Sequence, residues 1–204
     1  MKLLFISLGC DKNLVDSEEM LGMLAADGHE IVDDEDEAEV IIVNTCCFIG
    51  DAKEESVNTI LEMAEKKKAG TCKVLIVTGC MAQRYKKEIS EEIPEVDAIL
   101  GTTSYGDISK AVKEAQAGRH FEEYKSIDFL PDISGKRMLT TGGHFAYLKI
   151  AEGCDKHCTY CIIPKVRGNY RSVPMERLVN EARELAEQGV KELILVAQET
   201  TLYG

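Results

Sequence analysis

Nothing in this 204-residue sequence approaches the roughly 20 apolar residues of a membrane-spanning helix; the longest apolar runs, such as Val74 to Val77, have the length of buried strands. Basic side chains are scarce, with 24 Lys and Arg against 36 Asp and Glu and a formal charge of −12. Wide contact with a phosphate backbone depends on clustered cations. The balance therefore argues against direct nucleic-acid binding by these residues and suits a basic protein partner. Low-complexity segments are missing, as are repeats of roughly 20–50 residues, which excludes solenoids and propellers. An export signal is imitated but not made. Met1 to Cys10 carries a basic residue, an apolar stretch and a small residue before cysteine. Its apolar core falls short of the ~7–15 residues of a signal, and Asp11-Lys12-Asn13 opens an amphipathic helix where a polar tether would follow. A cytoplasmic location is the expectation. There, eight cysteines point to metal binding or redox chemistry in preference to structural disulfides.

What is present is a globular composition, 45% hydrophobic, enough for one core or two small ones. Through the first hundred residues, short apolar runs alternate with helical patterns. Lys2–Leu8, Val40–Val43, Lys73–Val77 and Ala98–Leu100 read as strands. Helices are expected at about 13–27, 85–93 and 105–117, with another carrying Val57, Ile60, Leu61 and Ala64 behind an Asp51/Glu54 capping box. This alternation predicts an α/β fold, a doubly wound, Rossmann-like parallel sheet over residues 1–119. Periodicity is lost across 120–143, where Pro131, Ser134-Gly135 and Gly142-Gly143 supply turns, so a linker is expected. A second unit, 144–204, reads as strand Phe145–Ile150, helix Met175–Gln188 and strand Leu193–Ala197. The last strand would lack a neighbour, so the chain reads as truncated.

Three strands of the first unit each run into a cysteine: Gly9-Cys10, Asn44-Thr45-Cys46 and Thr78-Gly79-Cys80. Ligands of open parallel sheets bind beyond the carboxyl ends of the strands, so the three thiols can converge there. Helices after Cys10 and Cys46 would turn their positive ends toward thiolates. Each alone could equally be a buried core thiol; the recurrence in one structural position favours a site. The second unit carries Cys154-Asp155-Lys156-His157-Cys158-Thr159-Tyr160-Cys161, a C-x₃-C-x₂-C run directly after a strand. Three thiolates on a four-iron, four-sulfur cluster leave one iron free to coordinate something else. Zinc is the main competitor, since C-x₂-C is a tetrahedral half-site and His157 could join it, but a second such pair is missing. A thioredoxin-like pair would leave Cys154 unexplained.

Cys154, Cys158 and Cys161, with Tyr160 before the last, resemble the signature of radical S-adenosylmethionine enzymes. The resemblance implies that the free iron chelates S-adenosylmethionine and that an electron from the reduced cluster cleaves it to a 5′-deoxyadenosyl radical. It implies that Tyr160 packs near the adenine and that Gln198 and Glu199, at the end of the second barrel strand, lie near the cofactor. It also implies a partial (βα) barrel beginning at 144–204. Cys10, Cys46 and Cys80 are similar to the ligands of the auxiliary [4Fe-4S] cluster in the methylthiotransferase branch, and that resemblance runs the length of the chain. Two [4Fe-4S] clusters and S-adenosyl-L-methionine are the implied cofactors. One molecule of cofactor would donate methyl to a cluster-bound sulfur, and another would make the radical that takes hydrogen from an unactivated carbon. No catalytic side chain is implied beyond the cluster ligands.

Segments Ser7–Ser17, Asn44–Cys46, Gly79–Tyr85, Tyr105–Ile108 and Gln198–Gly204 most resemble the branch that adds a methylthio group to the β-carbon of an aspartyl residue of ribosomal protein S-twelve. An electron donor of unspecified identity is implied as well. The sister branch acting on a transfer-RNA adenosine differs at Gln198 to Thr201. A non-catalytic iron–sulfur electron-transfer module and a zinc-bound module are the rivals from other classes. The complete barrel and the small substrate-gripping β-barrel of the family are expected to lie outside this chain.

Cys47 stands where the family more often has a small residue, and Cys72 reads as a structural thiol. The four histidines are not spaced as ligands, and Asp33 to Glu37 reads as a solvated loop. Lys165, Arg167 and Arg171 read either as contacts to cofactor or substrate or as exposed charges beside a loop.

Overall fold

The computed structural model describes residues 1–133 and 135–204. Its first layer is a six-stranded, all-parallel sheet of β1 (Lys2–Ser7), β2 (Glu30–Ile31), β3 (Val40–Thr45), β4 (Val74–Gly79), β5 (Ala98–Leu100) and β6 (Phe121–Glu123), in the order β2-β1-β3-β4-β5-β6. The α/β, Rossmann-like expectation is met. Every residue of β3 and β4 is buried, as their continuous Val/Ile/Leu runs require of strands covered on both faces. Helices α1 (Asp11–Ala26), α2 (Gly50–Lys68), α3 (Cys80–Arg84), α4 (Lys86–Glu92) and α5 (Ile108–Gln116) supply the cover. Leu3, Val40, Ile42, Ile76 and Leu100 pack with Met20, Leu24, Ile108 and Val112 on one face. Ile41, Val43, Leu75 and Val77 pack with Ile60, Met63 and Ile89 on the other.

The helix expected at 85–93 is α4, and a short α3 not expected from the sequence precedes it, separated by Tyr85 (φ −117°, ψ 32°). Two local expectations change. The Asp51/Glu54 capping box is not formed: α2 starts after Ile49, which makes no side-chain cap, and Asp51 lies in its first turn. Phe121–Glu123, inside the expected linker, is the sixth strand. Its three residues are too few to show a period, and it is recruited by pairing with β5. The turn expected at Ser134-Gly135 includes Ser134, which lies outside the described residues.

The second module pairs β7 (Phe145–Lys149) in parallel with β10 (Glu192–Val196) around α7 (Met175–Glu187). Its core is Ala146, Leu148, Ile150, Leu178, Leu185 and Val190. A short antiparallel ribbon of β8 (Ala151–Glu152) and β9 (Arg171–Ser172) brackets the cysteine loop and α6 (Ile163–Arg167). The modules meet at β7 against α1 and at α6 against α3, among other contacts. Val166 and Ile162 of α6 join the apolar cluster of the first module. Among the described residues, no helix is long and apolar enough to cross a membrane.

Candidate functional site

In the sheet order, winding reverses between β1 and β3, and the crevice beyond such a reversal is where open α/β sheets bind ligands. Cys10 follows β1, Cys46 follows β3 and Cys80 follows β4, so the three thiols stand at that crevice. Cys10 is the residue preceding α1, in extended conformation (φ −94°, ψ 172°), at the positive end of a 16-residue helix. Two glycines let the strand ends close up. A Cβ on Gly9 (φ +98°) would lie 2.7 Å from Cys46 Cβ, and one on Gly79 (φ +94°) would lie 2.5 Å from the Thr45 carbonyl oxygen.

Asn13 ties this crevice together from beneath. Its Nδ2 donates to the carbonyls of Leu8 (2.9 Å) and Thr45 (3.0 Å), and Asn44 Nδ2 donates back to the Asn13 carbonyl (3.0 Å). Ser56 of α2 accepts from the Cys46 N–H at 3.0 Å and donates to the Cys46 carbonyl at 2.8 Å. Cys46 and Cys80 are buried while Cys10 is exposed. Burial pushes the Cys80 thiol up to about 11, and the nearby Arg167 guanidinium pulls it the other way. Cys47 turns away from the crevice into the apolar core, where its Sγ donates to the Cys80 carbonyl at 3.3 Å. Cys72 is likewise buried, bonded to the Val74 carbonyl at 3.1 Å.

The second triad sits on a loop held by backbone. A Cβ on Gly153 (φ +76°) would lie 2.6 Å from the Asn169 carbonyl carbon, so only glycine permits this approach of the two segments. Cys154 N–H donates to the Gly168 carbonyl at 3.1 Å, and Cys161 N–H to the Cys158 carbonyl at 2.9 Å. His157 (φ +45°) turns the chain between the first two thiols. Packing of α6 against α3 brings this loop over the first triad.

Cys10, Cys46, Cys80, Cys154, Cys158 and Cys161 line one cavity of about 570 Å³. Tyr160, Gln198 and Glu199 line it as well. Gln198 has both amide atoms buried without a protein partner, a donor and an acceptor available to a bound molecule. Glu199 is engaged: it pairs with Lys156 and accepts from Thr201 Oγ1 at 2.6 Å. Those bonds hold its carboxyl down at about 2. Tyr160 is 89% exposed at the rim. A somewhat larger cavity of about 660 Å³, lined by Leu130, Ile133, Arg137 and residues of α7, has no thiol among its described lining residues. Among the described residues, no three His, Cys, Asp or Glu side chains converge closely enough for a single metal ion. Instead, six soft thiol donors surround a shared space, a donor set that suits iron–sulfur clusters.

Behind the cavity lies a buried ion network that the sequence reading missed. Arg167, expected at the cofactor or exposed, is 3% exposed and points inward. It pairs with Asp16 (2.8 Å) and Glu152 (3.2 Å), bonds Asn13 and donates to Cys80 Sγ. Lys149 pairs with Asp16 and, at 3.0 Å, with Glu152. Only partners far apart in sequence reveal such a role. Although burial pushes the Glu152 carboxyl up, Lys149 and Arg167 hold it down at about 2, against an ordinary 4.5. The folded chain therefore keeps this carboxylate charged at pH values where the unfolded chain has protonated it. Its stabilising contribution is whole above about pH 4.5 and is lost as pH falls toward 2. Urea denaturation of the metal-free chain across that window is expected to show falling stability, with Glu152→Gln flattening the slope.

Family models match both modules: Uncharacterized protein family UPF0004 over residues 2–101 and the Radical SAM superfamily over 148–204. Among curated proteins, the chain is 66% identical over its full length to "Ribosomal protein uS12 methylthiotransferase RimO" of Lachnoclostridium phytofermentans, covering 46% of that protein. The same-named protein of Clostridioides difficile is 52% identical over 100% of this chain and 46% of its own length. That of Acetivibrio thermocellus is 53% identical over 98% of this chain and 45% of its own. The chain thus spans about half the length of the curated relatives it matches. Two family models in tandem, with end-to-end identity to these relatives, place the chain in the radical S-adenosylmethionine methylthiotransferase family, as a match to the N-terminal portion of its members.

Proposed function

We propose that the full-length protein is a cytoplasmic enzyme that adds a methylthio group to the β-carbon of an aspartyl residue of ribosomal protein uS12. The observation that carries this reading is the lining of one cavity by two cysteine triads, one from each module. Cys154, Cys158 and Cys161 would hold one [4Fe-4S] cluster, and Cys10, Cys46 and Cys80 the other. When bound, the clusters and S-adenosylmethionine supply the electron, the radical and the methylated sulfur.

The chain's own residues orient and seclude. The Gln198 amide, with both atoms unpartnered, would offer a donor and an acceptor to polar groups of a bound cofactor. The Lys156–Glu199 pair ties the cysteine loop to the end of β10 and fixes that wall. Tyr160, free at the rim, can swing over a bound adenine. Phe48, Ile49 and Ile163 give the cavity apolar sides that keep water from a reactive centre. The test is an anaerobic assay of the reconstituted full-length protein with reductant, S-adenosylmethionine and either uS12 or transfer RNA. 5′-Deoxyadenosine release with a methylthio group on an aspartyl residue of uS12 is expected. Cofactor left intact, or label found on the RNA, overturns the reading.

A further inference from the structure

We propose that Arg167, supplied by the second module, is a positioning residue for the thiol triad of the first. This rests on the reading that Cys10, Cys46 and Cys80 hold a cluster. Arg167 Nε lies 3.3 Å from Cys80 Sγ and donates to it. Three more of its N–H groups are engaged: Nη1 donates to Asp16 (2.8 Å) and Glu152 (3.2 Å), and Nη2 to Asn13 Oδ1. Asn13 in turn holds the carbonyls of Leu8 and Thr45, just upstream of Cys10 and Cys46. One guanidinium and one carboxamide thereby brace the segments of all three thiols.

A planar fork of five donors can make these contacts at once, whereas a lysine ammonium is a single point of charge. The guanidinium also brings positive charge and an N–H to one sulfur and not to the other two. Hydrogen bonds to ligand sulfurs and local charge set cluster potential, so the first cluster should be tuned by a residue that arrives only when α6 docks on α3. Glu152 and Asp16 are buried anchors that hold the fork in place. The first site is therefore completed by the second module.

The test uses full-length protein in which Cys154, Cys158 and Cys161 are alanine, leaving the first site alone. Redox titration followed by electron paramagnetic resonance is expected to give a lower midpoint potential in Arg167→Gln than in the parent. Arg167→Lys, which keeps the charge and loses the fork, should fall between them. Lys149→Met disturbs the same network without touching Cys80; it should lower thermal stability and shift the potential by less than Arg167→Gln does. A measurement that needs no variant is pulsed resonance on protein labelled with ¹⁵N-arginine, where a weak nitrogen coupling to the cluster spin is expected. An unchanged potential in Arg167→Gln, or no coupling with the cluster present, overturns the inference alone. Absence of iron from the first triad overturns both it and the reading beneath it.

Discussion

Replacing Cys154, Cys158 and Cys161 together with alanine in the full-length protein is expected to remove about half of the iron and acid-labile sulfide that the parent binds after anaerobic reconstitution, since three thiolates per cluster make each triad a separate site. The fold should survive the change. The three thiols are exposed or half-buried, none belongs to an apolar cluster, and the loop is held by Gly153, Gly168 and backbone hydrogen bonds that alanine leaves intact. Metal-free parent and variant should melt together. The matching change at Cys10, Cys46 and Cys80 should remove the other half of the iron and also cost stability, because Cys80 is part of the core and Cys46 is buried. Iron content with the optical spectrum decides the matter: a parent without iron, or a first variant that loses none, sinks the two-site reading.

Asp16→Ala is expected to destabilise the metal-free chain by roughly 3–5 kcal/mol, the usual consequence of removing one partner from a buried ion pair. Asp16 is 3% exposed, with one carboxylate oxygen on Lys149 and the other on Arg167. Without it, two buried cations share the single carboxylate of Glu152. For a chain of this size the melting temperature should fall on the order of 10 °C, measured by circular dichroism. An exposed pair gives the contrast. Lys68→Ala removes surface contacts to Glu65 and Glu95 and should cost less than about 1 kcal/mol. An Asp16→Ala effect of that small size would mean that the network is hydrated.

How much of this was legible in the sequence follows from which signals are local. The βα alternation, the cysteines closing three strands and the C-x₃-C-x₂-C loop are written in spacing, and the structure puts all six thiols around one cavity. The two- and three-residue strands β2 and β6 carry no period, and pairing alone defines them. The break between α3 and α4 leaves no Pro or Gly in the sequence at Tyr85 to mark it. Arg167 reads as a charge beside a loop because its partners, Asn13, Asp16 and Cys80, stand up to 154 residues away. Gln198 was expected at the cofactor from resemblance; its orphaned amide is a physical reason that only the packed cavity supplies.

A single cavity shared by six thiols also sets a hazard for the empty chain in air. Cys10 and Cys158 are exposed, one from each module, while Cys46 and Cys80 lie buried behind them. Oxidants meet the outer pair first. A sulfenic acid on either can condense with another thiol, losing water to form a disulfide, which would remove two ligands before iron arrives. Anaerobic handling thus protects the ligands themselves, because the thiols most open to incoming iron are the same ones most open to oxygen.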